Sequence, residues 1–137
     1  MAFVDDLATL CITGGAGTVV GTDIFIGSKA NLPDSGAAFL TIRATGGAPP
    51  LRTQNEIAPT AWRRPTAQLV ARALSASDAE DLIELAFLAV QGQRNVFINT
   101  IRYMEIEPIQ EPFDLGLDSK KRPRHTFNVE GIRGGIL

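Results

Sequence analysis

The sequence has few of the residues from which most metal and catalytic sites are built, with one cysteine, Cys11, and one histidine, His125. A single cysteine excludes an internal disulfide and any multi-cysteine metal site. The carboxylates are scattered without an Asp-x-Asp spacing, and one histidine cannot form a His-x-x-x-His pair. We therefore predict no enzymatic activity, no catalytic residue, no metal site and no cofactor.

Long apolar runs and a strong net charge are also missing. No segment approaches the ~20 apolar residues of a membrane span, and Asp5 and Asp6 interrupt the place where a signal peptide would carry its apolar region. The formal net charge of -2 lacks the basic excess that usually accompanies phosphate binding. We expect a soluble protein that is not secreted, and its 137 residues predict one domain spanning residues 1–137.

The clearest local signal lies in residues 64–91, which predict a strand, a turn and a helix. Residues 66–74 alternate, and the small or apolar side chains of one face are Ala67, Leu69, Ala71 and Ala73. Ser77 and Glu80 match a Ser-x-x-Glu capping box, and Gly92 supplies a left-handed stop. The helix is expected to pack back over the strand, because small side chains permit a close approach.

The rest of the chain divides into shorter elements. Apolar residues at helical spacing predict a helix over residues 3–12, which glycines from Gly14 onward end. Alternating or β-branched runs predict further strands over residues 22–27, 38–45, 101–107 and 124–130, with residues 96–98 as a possible addition.

Turn-forming residues predict the connections. We expect exposed loops over residues 28–36, 46–65 and 108–123, a turn over residues 92–95 and a loose tail over residues 131–137. The loop over residues 46–65 should project from the body. The simplest pairing of residues 22–27 with residues 38–45 is a hairpin. Together these elements predict an α+β two-layer sandwich, with a mostly antiparallel sheet of about four or five strands and two helices packed on one face.

The glycine-rich run Thr13-Gly14-Gly15-Ala16-Gly17 is similar to the phosphate-binding opening of dinucleotide-binding domains. In those domains the glycines follow a strand and precede a helix. Here a predicted helix precedes them and a predicted strand follows, so a helix-ending loop is the preferred interpretation. A nucleotide-cofactor enzyme fragment is the alternative from another functional class.

Isolated reactive residues also have structural explanations. His125 alternates with Phe127 and Val129, which is typical of a packed or sheet-edge histidine rather than a base or ligand. Cys11 falls on the apolar side of the first helix, where a small buried side chain is a better interpretation than a nucleophile.

Two basic segments are candidates for contacts with partners. The first is Trp62 with Arg63 and Arg64, since exposed Trp and Arg are enriched at interface hot spots; Trp62 equally suits a core position. The second is the run of Lys120, Lys121, Arg122 and Arg124, which could contact phosphate or an acidic protein patch, or form a solvated loop.

An ordered set of segments resembles the tail terminator, or tail-completion, proteins of long-tailed bacteriophages, a group often described as minor capsid proteins. The likeness lies in the opening helix up to Gly17 and in residues 22–27, 40–47, 64–72, 108–118 and 127–129. No single motif among them is diagnostic.

The resemblance implies an α+β subunit of a hexameric ring on the head-proximal end of the tail tube. Such a ring stops tube polymerisation, contacts the tail tube protein and a neck or head-closure protein, and lets DNA pass without sequence-specific binding. It implies location in the virion after assembly in the host cytoplasm. The candidate tube or neck contacts are residues 28–36, 46–65 and 120–124. A head-closure or adaptor protein of the neck is the nearest alternative, and a host adaptor module stays open.

Overall fold

The computed structural model describes residues 2–27, 38–51 and 62–134. In this part of the chain, two helices and seven strands form an α+β fold. In chain order they are α1 (Phe3–Thr13), β1 (Ile24–Ile26), β2 (Phe39–Leu51), β3 (Trp62–Arg72), α2 (Ala76–Val90), β4 (Gln93–Ile98), β5 (Ile101–Pro108), β6 (Phe113–Leu117) and β7 (Pro123–Arg133).

The sheet is larger than predicted and mixed. Its strand order is β1-β2-β3-β7-β5-β4, and β6 pairs with β7 beside β5. The prediction of about four or five mostly antiparallel strands is therefore corrected. The additional strands lie where turn residues dominated the sequence: β4 begins in the predicted turn over residues 92–95, and β6 lies within the predicted loop over residues 108–123.

The predicted hairpin between residues 22–27 and 38–45 is wrong, because β1 and β2 pair in parallel, with Ile24 opposite Leu40. A parallel pair needs a connection of a dozen or more residues. The 12 residues between Ile26 and Phe39 meet that requirement. Residues 28–37, which include the predicted loop over residues 28–36, lie outside the described residues.

One apolar core lies between both helices and one face of the sheet. The predicted first helix is confirmed, and its residues Phe3, Leu7, Ala8 and Cys11 are buried. The predicted face of β3 is confirmed too: Ala67, Leu69 and Ala71 are fully buried and belong to the same cluster as Ile83 and Ala86 of α2. The small face of β3 thus meets the helices as expected.

The ends of α2 correct one prediction and confirm another. Its N-cap is Ser75, whose hydroxyl accepts a 3.1 Å hydrogen bond from the backbone N–H of Asp78, so the predicted cap at Ser77 is wrong. Both serines precede a carboxylate by three residues, and starting at the earlier one adds two residues to the helix. Gly92 follows the helix with a φ of 72°, as the predicted left-handed stop requires.

The predicted projecting loop over residues 46–65 is partly strand. β2 continues to Leu51 and β3 begins at Trp62, while residues 52–61 lie outside the described residues. Gly47 makes this pairing possible: its φ is 147°, and a Cβ there would lie 2.2 Å from the carbonyl oxygen of Arg64. Gly46 directly follows a register shift, and the Gly46–Gly47 pair resembles a turn in the sequence, which explains the error.

The predicted loose tail is also partly strand. β7 extends to Arg133, and the backbone N–H of Gly134 donates to the carbonyl oxygen of Arg102 at 2.8 Å. Residues 135–137 lie outside the described residues.

A buried polar network joins α1 to the sheet. The carboxylate of Asp6 is fully buried and accepts hydrogen bonds from the hydroxyl of Tyr103 and, at 2.9 Å, from the amide of Asn99. Asn99 also donates to the hydroxyl of Thr9 at 2.9 Å. These contacts hold the helix against the turn between β4 and β5, more than 90 residues away in sequence.

Candidate functional site

Trp62, Arg63 and Arg64 lie at the start of β3 and differ in exposure. The Trp62 ring is half-buried, with the guanidinium carbon of Arg102 5.7 Å from its centre. The half-buried Arg64 forms an ion pair with Glu130 at 4.0 Å. Arg63 is exposed and paired in the ladder with Arg133. Trp62 is therefore neither a core residue nor a fully exposed anchor.

The basic run at residues 120–124 is organised by Asp118, which sequence reasoning did not identify. Asp118 accepts backbone hydrogen bonds from Lys120 at 2.9 Å and Arg122 at 2.8 Å, and its carboxylate binds the Arg122 Nε at 2.8 Å. Desolvation acts to raise the pKa of Asp118, but the hydrogen bonds from Arg122 and Lys120 outweigh it and hold the pKa below its usual value. The turn between β6 and β7 is thus built around a carboxylate.

The run divides into two structural and two exposed residues. Arg122 pairs with Asp118, and the guanidinium of Arg124 donates to the carbonyl oxygens of Gly116 and Leu117 at 3.4 and 3.2 Å. Both arginines are half-buried within the hairpin. Lys120 and Lys121 are exposed at its tip. These two lysines are therefore the members of the run that solvent, and hence a partner, can reach most easily.

The two candidate segments do not form one site. Arg63 pairs with Arg133 at one end of the β3–β7 ladder, and Arg72 pairs with Arg124 at the other. Nine residues of extended chain separate these pairs, which corresponds to roughly 30 Å. Any partner contacts made by the two segments are therefore separate.

A groove of about 340 Å³ lies beside the β6–β7 hairpin, on the sheet face opposite the helices. It was missed from the sequence. Its apolar lining includes Phe39, Val70 and Leu115, and its charged lining is Arg43, Arg72, Arg124 and Asp118. The alternation of residues 66–74 placed Arg72 opposite the small face, but only the pairing with β7 brings Arg124 beside it.

Arg72 is the most buried charge of the groove. It is 7% exposed, its guanidinium carbon lies 4.0 Å from the centre of the Phe39 ring, and one of its nitrogens lies 3.8 Å from the Asp118 carboxylate. Arg43 is exposed and donates to the side chain of Gln68 at 3.0 Å. The groove therefore combines an apolar floor with a predominantly basic rim.

The outer face of α2 has the opposite charge. Residues Ala76–Val90 include no lysine or arginine, and their exposed carboxylates are Asp78, Glu80, Asp81 and Glu84. Leu85 and Leu88 lie beside these carboxylates and are 43% and 54% exposed. The outer face of α2 therefore combines exposed apolar and acidic side chains.

The remaining candidate residues have structural roles. Cys11 is fully buried, and burial raises the pKa of its thiol to about 12, which opposes a nucleophilic role. His125 is half-buried in β7 opposite Asp114. The glycine run ends α1, with the N–H of Gly14 donating to Leu10 and Gly15 at a φ of 84°, so its preferred interpretation is confirmed. In residues 2–27, 38–51 and 62–134, no group of three His, Cys, Asp or Glu side chains is placed to hold a metal.

Comparison with known proteins identifies the family. A family profile described as "Bacteriophage tail terminator protein" matches residues 13–132. The chain belongs to the bacteriophage tail terminator family. A search of curated protein sequences finds no match.

A solved structure shares the fold of this tail terminator family member. It is a chain in a structure described as "Virion of native gene transfer agent (GTA) particle", with a TM-score of 0.62 and 10% sequence identity. The alignment covers 98% of this chain and 96% of that chain. Within the described residues, no helix is long and apolar enough to cross a membrane. Family membership indicates a structural role in a phage tail.

Proposed function

We propose that this protein is a virion structural protein that caps the head-proximal end of the tail tube, ends tube polymerisation and joins the tail to the neck. The observation that carries the proposal is the match of residues 13–132 to the tail terminator family. The fold shared with a chain of a gene transfer agent virion supports it. The protein acts through contacts rather than catalysis, without a cofactor and as a single domain of residues 1–137.

The proposed assembly is a hexameric ring. It contacts the tail tube protein on one side and a neck or head-closure protein on the other, and DNA passes through it without sequence-specific binding. The subunit assembles in the host cytoplasm and is carried in the virion. Lateral contacts in a closed ring are heterologous, so each subunit presents two different complementary surfaces to its neighbours.

The partner-contact candidates suit an assembly with more than one partner. Trp62 and Arg63 lie at one end of the β3–β7 ladder, and Lys120 and Lys121 lie at the hairpin near the other end. The two segments are far enough apart to contact different chains of the assembly.

The proposal is tested by measuring the mass of the purified protein by light scattering, alone and mixed with the tail tube protein of the same phage. A closed ring of about six subunits, or a cap that halts tube growth on mixing, is the expected result. A stable monomer that neither binds the tube nor limits its length would refute the proposal and favour a head-side neck protein.

A further inference from the structure

A cluster of basic side chains surrounds the groove. Six basic side chains surround it or the adjoining hairpin tip, with Asp118 between them: Arg43, Arg72, Lys120, Lys121, Arg122 and Arg124. The chain as a whole has a formal net charge of -2. The remaining residues are therefore acidic on balance, and the groove with its hairpin tip is a basic patch on that background.

The outer face of α2 is the complementary surface. Four carboxylates lie on a 15-residue helix that has no basic residue, and Leu85 and Leu88 are exposed beside them. The helix packs on one face of the sheet and the groove opens on the other. The β6–β7 hairpin lies between the two surfaces, because Asp114 borders a depression with Glu80 and Glu84 whereas Leu115 lines the groove. They cannot meet within one chain.

We propose that the basic groove of one subunit binds the acidic outer face of α2 in the next subunit. This inference rests on the proposed ring. The two surfaces match in two respects: the exposed Arg43 and the hairpin lysines face the carboxylates, and Val70 and Leu115 receive Leu85 and Leu88. Because the surfaces differ, their contact is heterologous and propagates from subunit to subunit until it closes.

The apolar floor distinguishes this partner from nucleic acid. Phosphates would engage the arginines and lysines but would leave the apolar lining without a complementary group. Leucines flanked by carboxylates satisfy both parts of the groove. The buried position of Arg72 beside Phe39 also favours a fitted protein contact over the exposed basic surface that counterion release requires.

Reciprocal charge reversal tests the contact. One variant combines Glu80→Lys with Glu84→Lys on the exposed face of α2, and the other combines Arg43→Glu with Lys121→Glu at the groove. For each variant alone, the fraction of subunits found in rings should fall at least tenfold. Native mass spectrometry measures this fraction with the tail tube protein present. An equimolar mixture should recover rings in which the two variants alternate, since every contact then again joins opposite charges.

Thr100→Lys provides the control, because Thr100 is exposed in the turn between β4 and β5, away from both surfaces. It should assemble like the wild type. Circular dichroism checks that each variant is folded, and recovery on mixing is a second demonstration of folding.

The outcomes separate this contact from the ring itself. If the wild type forms rings and both charge-reversed variants do so equally well, the contact is wrong while the ring stands. If the wild type forms no ring with the tube protein, the ring and the contact fall together. If the groove variant assembles normally but loses retention of double-stranded DNA at low salt, the groove faces nucleic acid and the contact is overturned.

Discussion

Removing the Tyr103 hydroxyl should destabilise the protein more than removing a buried hydroxyl that donates only to a neutral acceptor. Tyr103 is fully buried and its hydroxyl donates to the buried carboxylate of Asp6. Hydrogen bonds to charged groups contribute about 1.5–3 kcal/mol, against about 0.5–1.5 kcal/mol for neutral pairs. Tyr103→Phe leaves Asp6 with the amide of Asn99, so the loss of about 3–5 kcal/mol expected for an uncompensated buried charge should not be reached.

The matched control is Thr126→Val. Thr126 is also fully buried, and its hydroxyl donates to the neutral carbonyl oxygen of Leu69 at 2.7 Å. Thermal and urea unfolding of both variants gives the two costs. For a chain of this size Tyr103→Phe should lower Tm by roughly 6–12 °C, clearly more than Thr126→Val. Equal costs for the two variants would refute a charge-assisted bond between Tyr103 and Asp6.

A double variant and the pH dependence extend this prediction. Tyr103→Phe combined with Asn99→Ala removes the Tyr103 hydroxyl and the Asn99 amide from Asp6, so its cost should exceed the sum of the single costs by about 1 kcal/mol. Desolvation and then the bond to Asp6 raise the pKa of Tyr103. Its stabilising contribution is therefore full below the ordinary tyrosine pKa of about 10 and is lost as the pH rises above it. Tyr103→Phe should reduce that alkaline loss.

Three further predictions follow from single contacts. Ser75→Ala should lower the free energy of unfolding in urea by about 1 kcal/mol because it removes the N-cap. Ser77→Ala should change it by less than about 0.5 kcal/mol. The reverse order of these costs would identify Ser77 as the N-cap instead. Burial raises the pKa of the Cys11 thiol to about 12, so the thiol should resist alkylation at pH 8 until the protein unfolds. The contribution of the buried thiol to stability should fall as the pH rises above about 9. Rapid alkylation of the folded protein would contradict this prediction. Gly131→Ala places a Cβ 2.7 Å from the ring of Phe3, so it should destabilise by about 1–3 kcal/mol; an unchanged Tm would show that Phe3 can move aside.

Local periodicity predicted the helices and the face of β3 but not the strand partners. Alternation reports which side chains share a face, and that information was sufficient for Ala67, Leu69 and Ala71. It carries no information on direction, so β1 was assigned to a hairpin although it pairs in parallel with β2. β6 was missed because none of its residues is buried, and its pairing with β7 rests on the backbone.

The candidate site was only partly predictable for the same reason. The basic run at residues 120–124 is visible in the sequence, but the role of Asp118 depends on the turn that brings its carboxylate to Arg122. The groove depends on the register that sets Arg72 opposite Arg124, which are more than 50 residues apart in sequence. A run of charged residues is visible in a sequence, whereas a charged cavity can be predicted only when the strand pairing is known.

A ring subunit between a tube and a neck needs two lateral surfaces and two axial ones. If the basic groove and α2 make the proposed lateral contacts, they use the hairpin end of the β3–β7 ladder and the helical face of the sheet. Trp62 and Arg63 then remain at the other end of the ladder, roughly 30 Å from the groove. The half-buried Trp62 ring and the exposed Arg63 would suit an axial partner, because neither lies on a lateral surface. On this arrangement the ladder itself sets the distance between lateral and axial contacts.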